Sequence, residues 1–145
     1  NFEINRITRI GVGIGPGNYT GVRISVSFAR GLSLALDRPA FGISSFEATY
    51  FGHKKPALVI VPSNSKRVYV QRYPKTKDGV WISNEKDIDF SDAECLKRCS
   101  GQLLSENIAH LAAQRSCENL LPPAPLYLKP ADAAPALEKP PKILS

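Results

Sequence analysis

Hydrophobic and polar positions alternate with turn signals in a readable order along this chain. Residues 7–13 (ITRIGVG) concentrate β-branched side chains and run into Gly15-Pro16-Gly17, so a strand should enter a sharp glycine turn. Thr20 is placed to cap a helix, because its hydroxyl can accept an amide hydrogen bond from the second or third helical residue. Residues 21–36 contain no proline and are stopped by Asp37-Arg38-Pro39, which predicts a helix of about four turns. The apolar run 40–43 reads as a second strand, and Ser44-Ser45-Phe46-Glu47 as a capping box that opens another helix. Strand, helix, strand, helix with short connections implies a right-handed crossover and a parallel strand pair, hence an α/β architecture.

Beyond residue 56 the period changes. Residues 57–61 (ALVIV) are continuously apolar, a polar Ser63-Asn64-Ser65-Lys66 turn follows, and residues 67–73 alternate, which together predict a β-hairpin. Lys77-Asp78-Gly79 makes a second turn before Val80-Trp81-Ile82, extending the hairpin to a three-stranded meander. Ser91-x-x-Glu94 has the form of a second capping box, and Ile108, Leu111 and Ala112 mark one face of a last helix within 105–120. From Leu121 onward prolines are too frequent for a helix or a central strand, so an extended tail is expected. The resulting organisation is a first unit over 1–55, a second over 56–120 and a proline-rich tail over 121–145.

With 145 residues, 22% charged and 43% hydrophobic, the composition is that of a folded domain rather than a disordered chain. No apolar run approaches the ~20 residues of a membrane span, and no leader pattern is present, so neither a membrane nor a secretory role is expected. Three cysteines, an odd number, fit a reducing cytoplasm better than a disulfide scaffold. The net charge of +6 permits an acidic partner, yet the basic pairs Lys54-Lys55, Lys66-Arg67 and Lys97-Arg98 are scattered in the manner of a solvated surface. The start at Asn1 and the lack of methionine lead us to expect that an N-terminal portion precedes this chain.

The stretch 11–23 (GVGIGPGNYTGVR) brings glycines to a helix N-terminus, where free amides and the helix dipole favour anions. No lysine follows the glycines as a Walker loop requires. A dinucleotide fingerprint read from Gly15 has Thr20 at its third glycine, and Ser44 and Ser45 rather than an acid after the second strand. Gly17 is expected to take a positive φ or to meet a close backbone approach.

Gly15, Pro16, Gly17, Thr20, Gly21 and Arg23 form a G-P-G-x-[FY]-T-G-x-R core. It is followed by residues 29–36 (ARGLSLAL), 42–48 (GISSFEA) and, far downstream, 125–132 (PLYLKPAD). This ordered set resembles the TsaB (YeaZ) family, a bacterial subunit of the tRNA threonylcarbamoyladenosine machinery, over roughly residues 7 to 132. The resemblance implies an α/β fold of the actin-like, RNase H-like (ASKHA) type, N-terminally incomplete here. It also implies a non-catalytic cytoplasmic subunit that pairs with a TsaD-like catalytic subunit, recruits a TsaE-like ATPase, and supports threonylcarbamoyl transfer to adenosine 37 of tRNA, which it reaches only through the complex. Homodimers also occur in the family. Pro62-Ser63-Asn64 departs from the acidic D-A-[RK] turn of many relatives, so no role is carried over from that turn.

Enzyme readings find little support in the residues. His53 and His110 stand far apart without an H-E-x-x-H pattern, and Cys95, Cys99 and Cys117 lack a known ligand spacing, so no metal is expected. Asp87, Asp89, Asp92 and Glu94 could orient magnesium as in RNase H-like nucleases, yet acids grouped before a capping box are what a helix N-terminus favours. Residues 42–46 lack the last glycine of a nucleophile elbow. No cofactor is expected, and the competing reading is an actin-like hydrolase that binds nucleotide or nucleic acid and acts on its own.

The helix over 21–36 suggests a binding surface instead. At ~100° per residue Arg23, Ser27, Arg30 and Asp37 share a polar sector, while the apolar and small residues spread over roughly 220°, more than one sheet can cover. A strip of Val22, Val26, Ala29, Arg30 and Ser33 is therefore expected to meet a second helix, from this protein or from a partner.

Overall fold

The computed structural model describes residues 3–63 and 66–128, and its strands form two sheets. In the first, β1 (Ile10–Gly13) lies parallel to β2 (Ala40–Ile43), with Ile10 opposite Ala40 and Gly13 opposite Ile43. The intervening α1 (Tyr19–Leu36) supplies the crossover and covers one face, packing Val26 and Ala29 on Val12. Parallel strands need cover on both sides. The other face is covered by α3 (Gly101–Gln114), whose Ile108 and Ala112 pack with Phe41, Ile43 and Ala48. A Cβ on Gly11 would stand 3.0 Å from Ala112 Cβ and from the Ile108 carbonyl, so only glycine lets α3 lie this close to the strand. Arg9 then donates to the carbonyls of Ala112 and Arg115, which α3 leaves unpaired at its C-terminal end. Helix α3, expected in the second unit, thus packs on the first sheet.

The second sheet has the order β5-β4-β3-β6. The expected meander is present: β3 (Ala57–Pro62), β4 (Val68–Tyr73) and β5 (Val80–Ser83) pair antiparallel in sequence. Ser63 N–H donates to the Arg67 carbonyl across the first hairpin end, and residues 64 and 65 of its turn lie outside the described residues. Because β3 is central and covered on both faces, residues 57–61 are all buried, which is why they read as a continuous apolar run.

Between the sheets sits α2 (Ser45–Tyr50), opened by the expected capping box. Glu47 N–H donates to Ser44 Oγ at 3.1 Å, and Ser44 N–H donates back to Glu47 Oε2 at 3.3 Å. Phe46 of α2 fills the cluster of Val59, Val61 and Tyr73 on one face of β3 and β4.

Three expectations fail locally. Ser91-x-x-Glu94 does not open a helix: Asp89 accepts the Ser91 N–H at 2.8 Å in a turn, and Glu94–Lys97 is the edge strand β6, parallel to β3. Tertiary packing overrides the local signal, since Phe90, Ala93 and Cys95 are held against Leu58, Ile60, Val68 and Val70. The last helix is capped by Ser100 and occupies 101–114 rather than 105–120. Asn18 caps α1, accepting the Gly21 N–H at 2.8 Å, whereas Thr20 lies inside the first turn and is exposed. Of the proline-rich tail, residues 121–128 belong to no helix or strand, and 129–145 lie outside the described residues. Among the described residues no helix is long and apolar enough to cross a membrane.

Tyr73 offers a check on the second core. Burial, then the charge of Glu47, push its phenol above the ordinary tyrosine value. Below pH about 10 the group is protonated whether folded or not and adds no pH dependence. Above that, the unfolded chain releases a proton that the folded chain keeps, so stability falls as pH rises. Following phenolate absorbance against pH should reveal one of the five tyrosines ionising only together with loss of the fold.

Candidate partner interface

The glycine turn is built from the backbone outward. Gly15 has φ +98°, a left-handed conformation that a side chain resists, and Leu126 O would lie 3.7 Å from a Cβ there. Gly15 and Pro16 are buried, and their carbonyls accept Ser45 N–H at 2.7 Å and Ser45 Oγ–H at 3.0 Å. The turn is thereby tied to the start of α2. The expectation for Gly17 is corrected: its φ is not positive, it is exposed, and a Cβ there would meet only Val22 Cγ2 at 3.8 Å and Arg98 Nη1 at 4.0 Å. Gly15→Ala should therefore cost about 1–2 kcal/mol, and Gly17→Ala less than about 0.5 kcal/mol, a contrast that paired thermal melts would reveal.

Arg23 projects from the first turns of α1 onto Tyr127. Its Nε donates to the phenol oxygen at 2.8 Å, and its guanidinium carbon is 4.1 Å from the Tyr19 ring centroid. The bond to Tyr127 raises the Arg23 pKa, so it stays a cation. Thus Gly15 and Pro16 shape the turn, Gly21 gives its N–H to the Asn18 cap, Gly17 and Thr20 are exposed, and Arg23 reaches a distant segment.

The expected partner strip needs correcting. Val26 is 3% and Ala29 4% exposed on the face of α1 that meets β1, so these two belong to the internal core, and the half-buried Val22 packs against them. Ser33 works at the helix end, where its hydroxyl and carbonyl both serve Arg38. Arg30 is exposed, and Arg30, Ser33 and Leu34 form one wall of a cleft of about 210 Å³ whose other wall is Leu120, Pro122 and Pro123. The surplus apolar surface predicted for this helix exists, on the opposite side. Ile24, Phe28, Gly31 and Ala35, spaced to share one face, are all exposed, with Ile24 at 65% and Phe28 at 70%, and Leu34 flanks them. Small and β-branched residues face the sheet because they let the helix approach β1, and the larger Ile24 and Phe28 are turned outward. The glycine turn, with Gly15 at positive φ and tied to Ser45, aims the start of this helix, and no helical wheel contains that.

The histidines and acids singled out in the sequence make local contacts of their own. His53 Nε2 lies 3.3 Å from Glu94 Oε2, and the His110 ring stacks on Phe51. Asp87 accepts from Asn84 Nδ2 at 2.7 Å, and hydrogen bonds from Ser91 hold the Asp89 carboxyl below its ordinary value. Among the described residues no three His, Cys, Asp or Glu side chains are grouped so that they could hold a metal ion.

Comparison with known proteins extends this geometry. The model of the family described as TsaD, tRNA N6-adenosine threonylcarbamoyltransferase, matches residues 1–124. The tRNA threonylcarbamoyladenosine biosynthesis protein TsaB of Buchnera aphidicola subsp. Acyrthosiphon pisum is 31% identical over 107 residues, which are 66% of this chain and 48% of that protein. TsaB of Escherichia coli is 31% identical over 90 residues, 59% of this chain and 39% of that protein. This chain thus spans about half the length of the curated relatives it matches. A solved Pseudomonas aeruginosa protein, described as similar to peptidase YEAZ, superposes with a TM-score of 0.60 at 20% identity, covering 88% of this chain and 76% of that one. The fold expected from the sequence, actin-like and RNase H-like α/β, is the one these comparisons show. With a family model matched over most of its length and TsaB proteins among its relatives, the chain belongs to the tRNA N6-adenosine threonylcarbamoyltransferase family, as a member of its TsaB/YeaZ branch.

Proposed function

We propose that this chain serves the synthesis of threonylcarbamoyladenosine at position 37 of tRNA as a non-catalytic subunit. In this reading it pairs with a TsaD-like catalytic subunit, brings in a TsaE-like ATPase, and meets tRNA only through the complex, all in the cytoplasm. The observation that carries the reading is the exposed apolar stripe of Ile24, Phe28, Gly31 and Ala35 on α1. Burying it against a second helix removes apolar surface from water, and Gly31 and Ala35 let two helix axes come close. The names of the relatives point to the same pathway.

The decisive experiment is copurification of the protein with TsaD, followed by a threonylcarbamoylation assay with and without it. Retention on TsaD and loss of tRNA modification when the protein is omitted are expected. Modification that proceeds equally well without it overturns the reading. A homodimer through the same stripe is the second form this surface supports, and sedimentation of the protein alone measures it. The competing hydrolase reading predicts ATP or peptide turnover by the purified protein, which the scaffold reading does not.

A further inference from the structure

Two stretches of the sequence separated by about a hundred residues meet in one cluster. Arg23 Nε donates to Tyr127 OH at 2.8 Å, and the Arg23 guanidinium carbon lies 4.1 Å from the Tyr19 ring centroid and 5.6 Å from that of Tyr127. The two rings are themselves 5.3 Å apart. Next to them the Leu126 N–H donates to the Ile14 carbonyl at 2.8 Å, just where β1 enters the glycine turn. Two residues further on, Leu128 packs on the cluster of Phe46, Val59, Val61 and Tyr73 on one face of the second sheet's β3 and β4. Upstream, Pro123 is buried, and its Cβ would be 3.3 Å from a Cβ at Gly42 of β2. Residues 122–128 therefore touch β2, the glycine turn, α1 and the second sheet in succession without belonging to any helix or strand.

We infer that residues 122–128 are a latch that fastens α1 and the glycine turn to the second sheet, closed by the stack of Tyr19, Arg23 and Tyr127. A segment outside helix and strand has no ladder of its own to hold it, and the contacts at an exposed site such as Tyr127, 49% accessible, are individually weak. Its order must come from several of them acting together. Arginine suits the closing position because a planar guanidinium can lie on a ring face and donate in its own plane at once, which an ammonium cannot. When the latch is closed, tilting the first turn of α1 pulls on Tyr127 and thus on Leu128 in the second core. Once open, the two sheets are still joined through α2, whose Ala48 packs with Phe41 and Ile43 and whose Phe46 packs with Val59 and Val61. The inference concerns this chain alone and holds whatever its partner is.

Amide hydrogen exchange on the intact protein tests it, with the Leu126 amide as the reporter and the Val59, Ile60 and Val61 amides of β3 as the measure of global opening. Arg23→Lys and Tyr127→Ala are each expected to speed exchange at Leu126 by about tenfold or more, and to leave β3 at its original rate. The double variant should exchange no faster than Tyr127→Ala, since both changes open one device. An unchanged Leu126 rate in Arg23→Lys would make the stack an incidental surface contact and overturn the inference. Equal acceleration at Leu126 and β3 would overturn it as well, because the stack would then support the whole fold. So would independent, multiplicative effects in the double variant.

Discussion

Ala29→Glu should unfold this chain. Ala29 is 4% exposed and sits with Val26 and Val12 in the apolar layer between α1 and β1. A carboxylate there must either ionise without a partner in an apolar layer or bind a proton and leave its polar atoms unsatisfied, and its extra length also pushes the helix off the sheet. The expected cost is about 3–5 kcal/mol, a large part of the roughly 5–15 kcal/mol that holds a domain together. Circular dichroism melts should show a transition lowered by ten degrees or more, or no cooperative transition. A melt within a few degrees of the original would mean that α1 is rotated with Ala29 toward solvent. The same substitution, judged from the helical wheel alone, would be expected to weaken association and spare the monomer, so the melt separates the two placements of the strip.

Phe28→Glu should do the reverse. With 70% of its surface already in water, Phe28 contributes little to the folded chain, and a surface change of this kind shifts stability by about 0.5 kcal/mol or less. On pairing, however, the carboxylate would be carried into the centre of an apolar stripe without a partner. A penalty of about 3 kcal/mol there weakens association roughly a hundredfold. Calorimetry with a TsaD-like subunit and sedimentation of the protein alone measure this, next to a melting curve that should barely move. Unchanged association with both partners would place the interface away from Ile24, Phe28, Gly31 and Ala35.

These two residues stand a single position apart on the helix, and the sequence does not separate their roles. Both are apolar, both lie within the same broad sector, and the helical period alone leaves the phase of that sector free. The phase comes from the backbone before it: Gly15 at positive φ, the Asn18 cap, and the bonds from Ser45 to the Gly15 and Pro16 carbonyls aim the first turn of α1. A capping signal is local and short, so Asn18 and Thr20 look equally able to serve, and only the path of the turn chooses between them.

What the sequence determines by itself is whatever depends on near neighbours. The strand, glycine turn, helix and strand of the first layer, the capping box of Ser44 and Glu47, and the meander from Ala57 to Ser83 are all legible, because period and turn chemistry act over a few residues. The G-P-G-x-[FY]-T-G-x-R stretch and the downstream P-L-Y-L also suffice to point to the family. What only the tertiary structure decides is whatever depends on which distant surfaces meet. Residues 94–97 become an edge strand because the open side of β3 offers a ladder and its apolar face needs Cys95 and its neighbours, a gain that outweighs a capping signal. Helix α3 crosses back to cover β1, since a parallel pair left bare on one face would expose Phe41 and Ile43. Arg23 and Tyr127 are joined for the same reason: the energy of such contacts lies in packing across about a hundred residues of chain, and no local window of the sequence contains it.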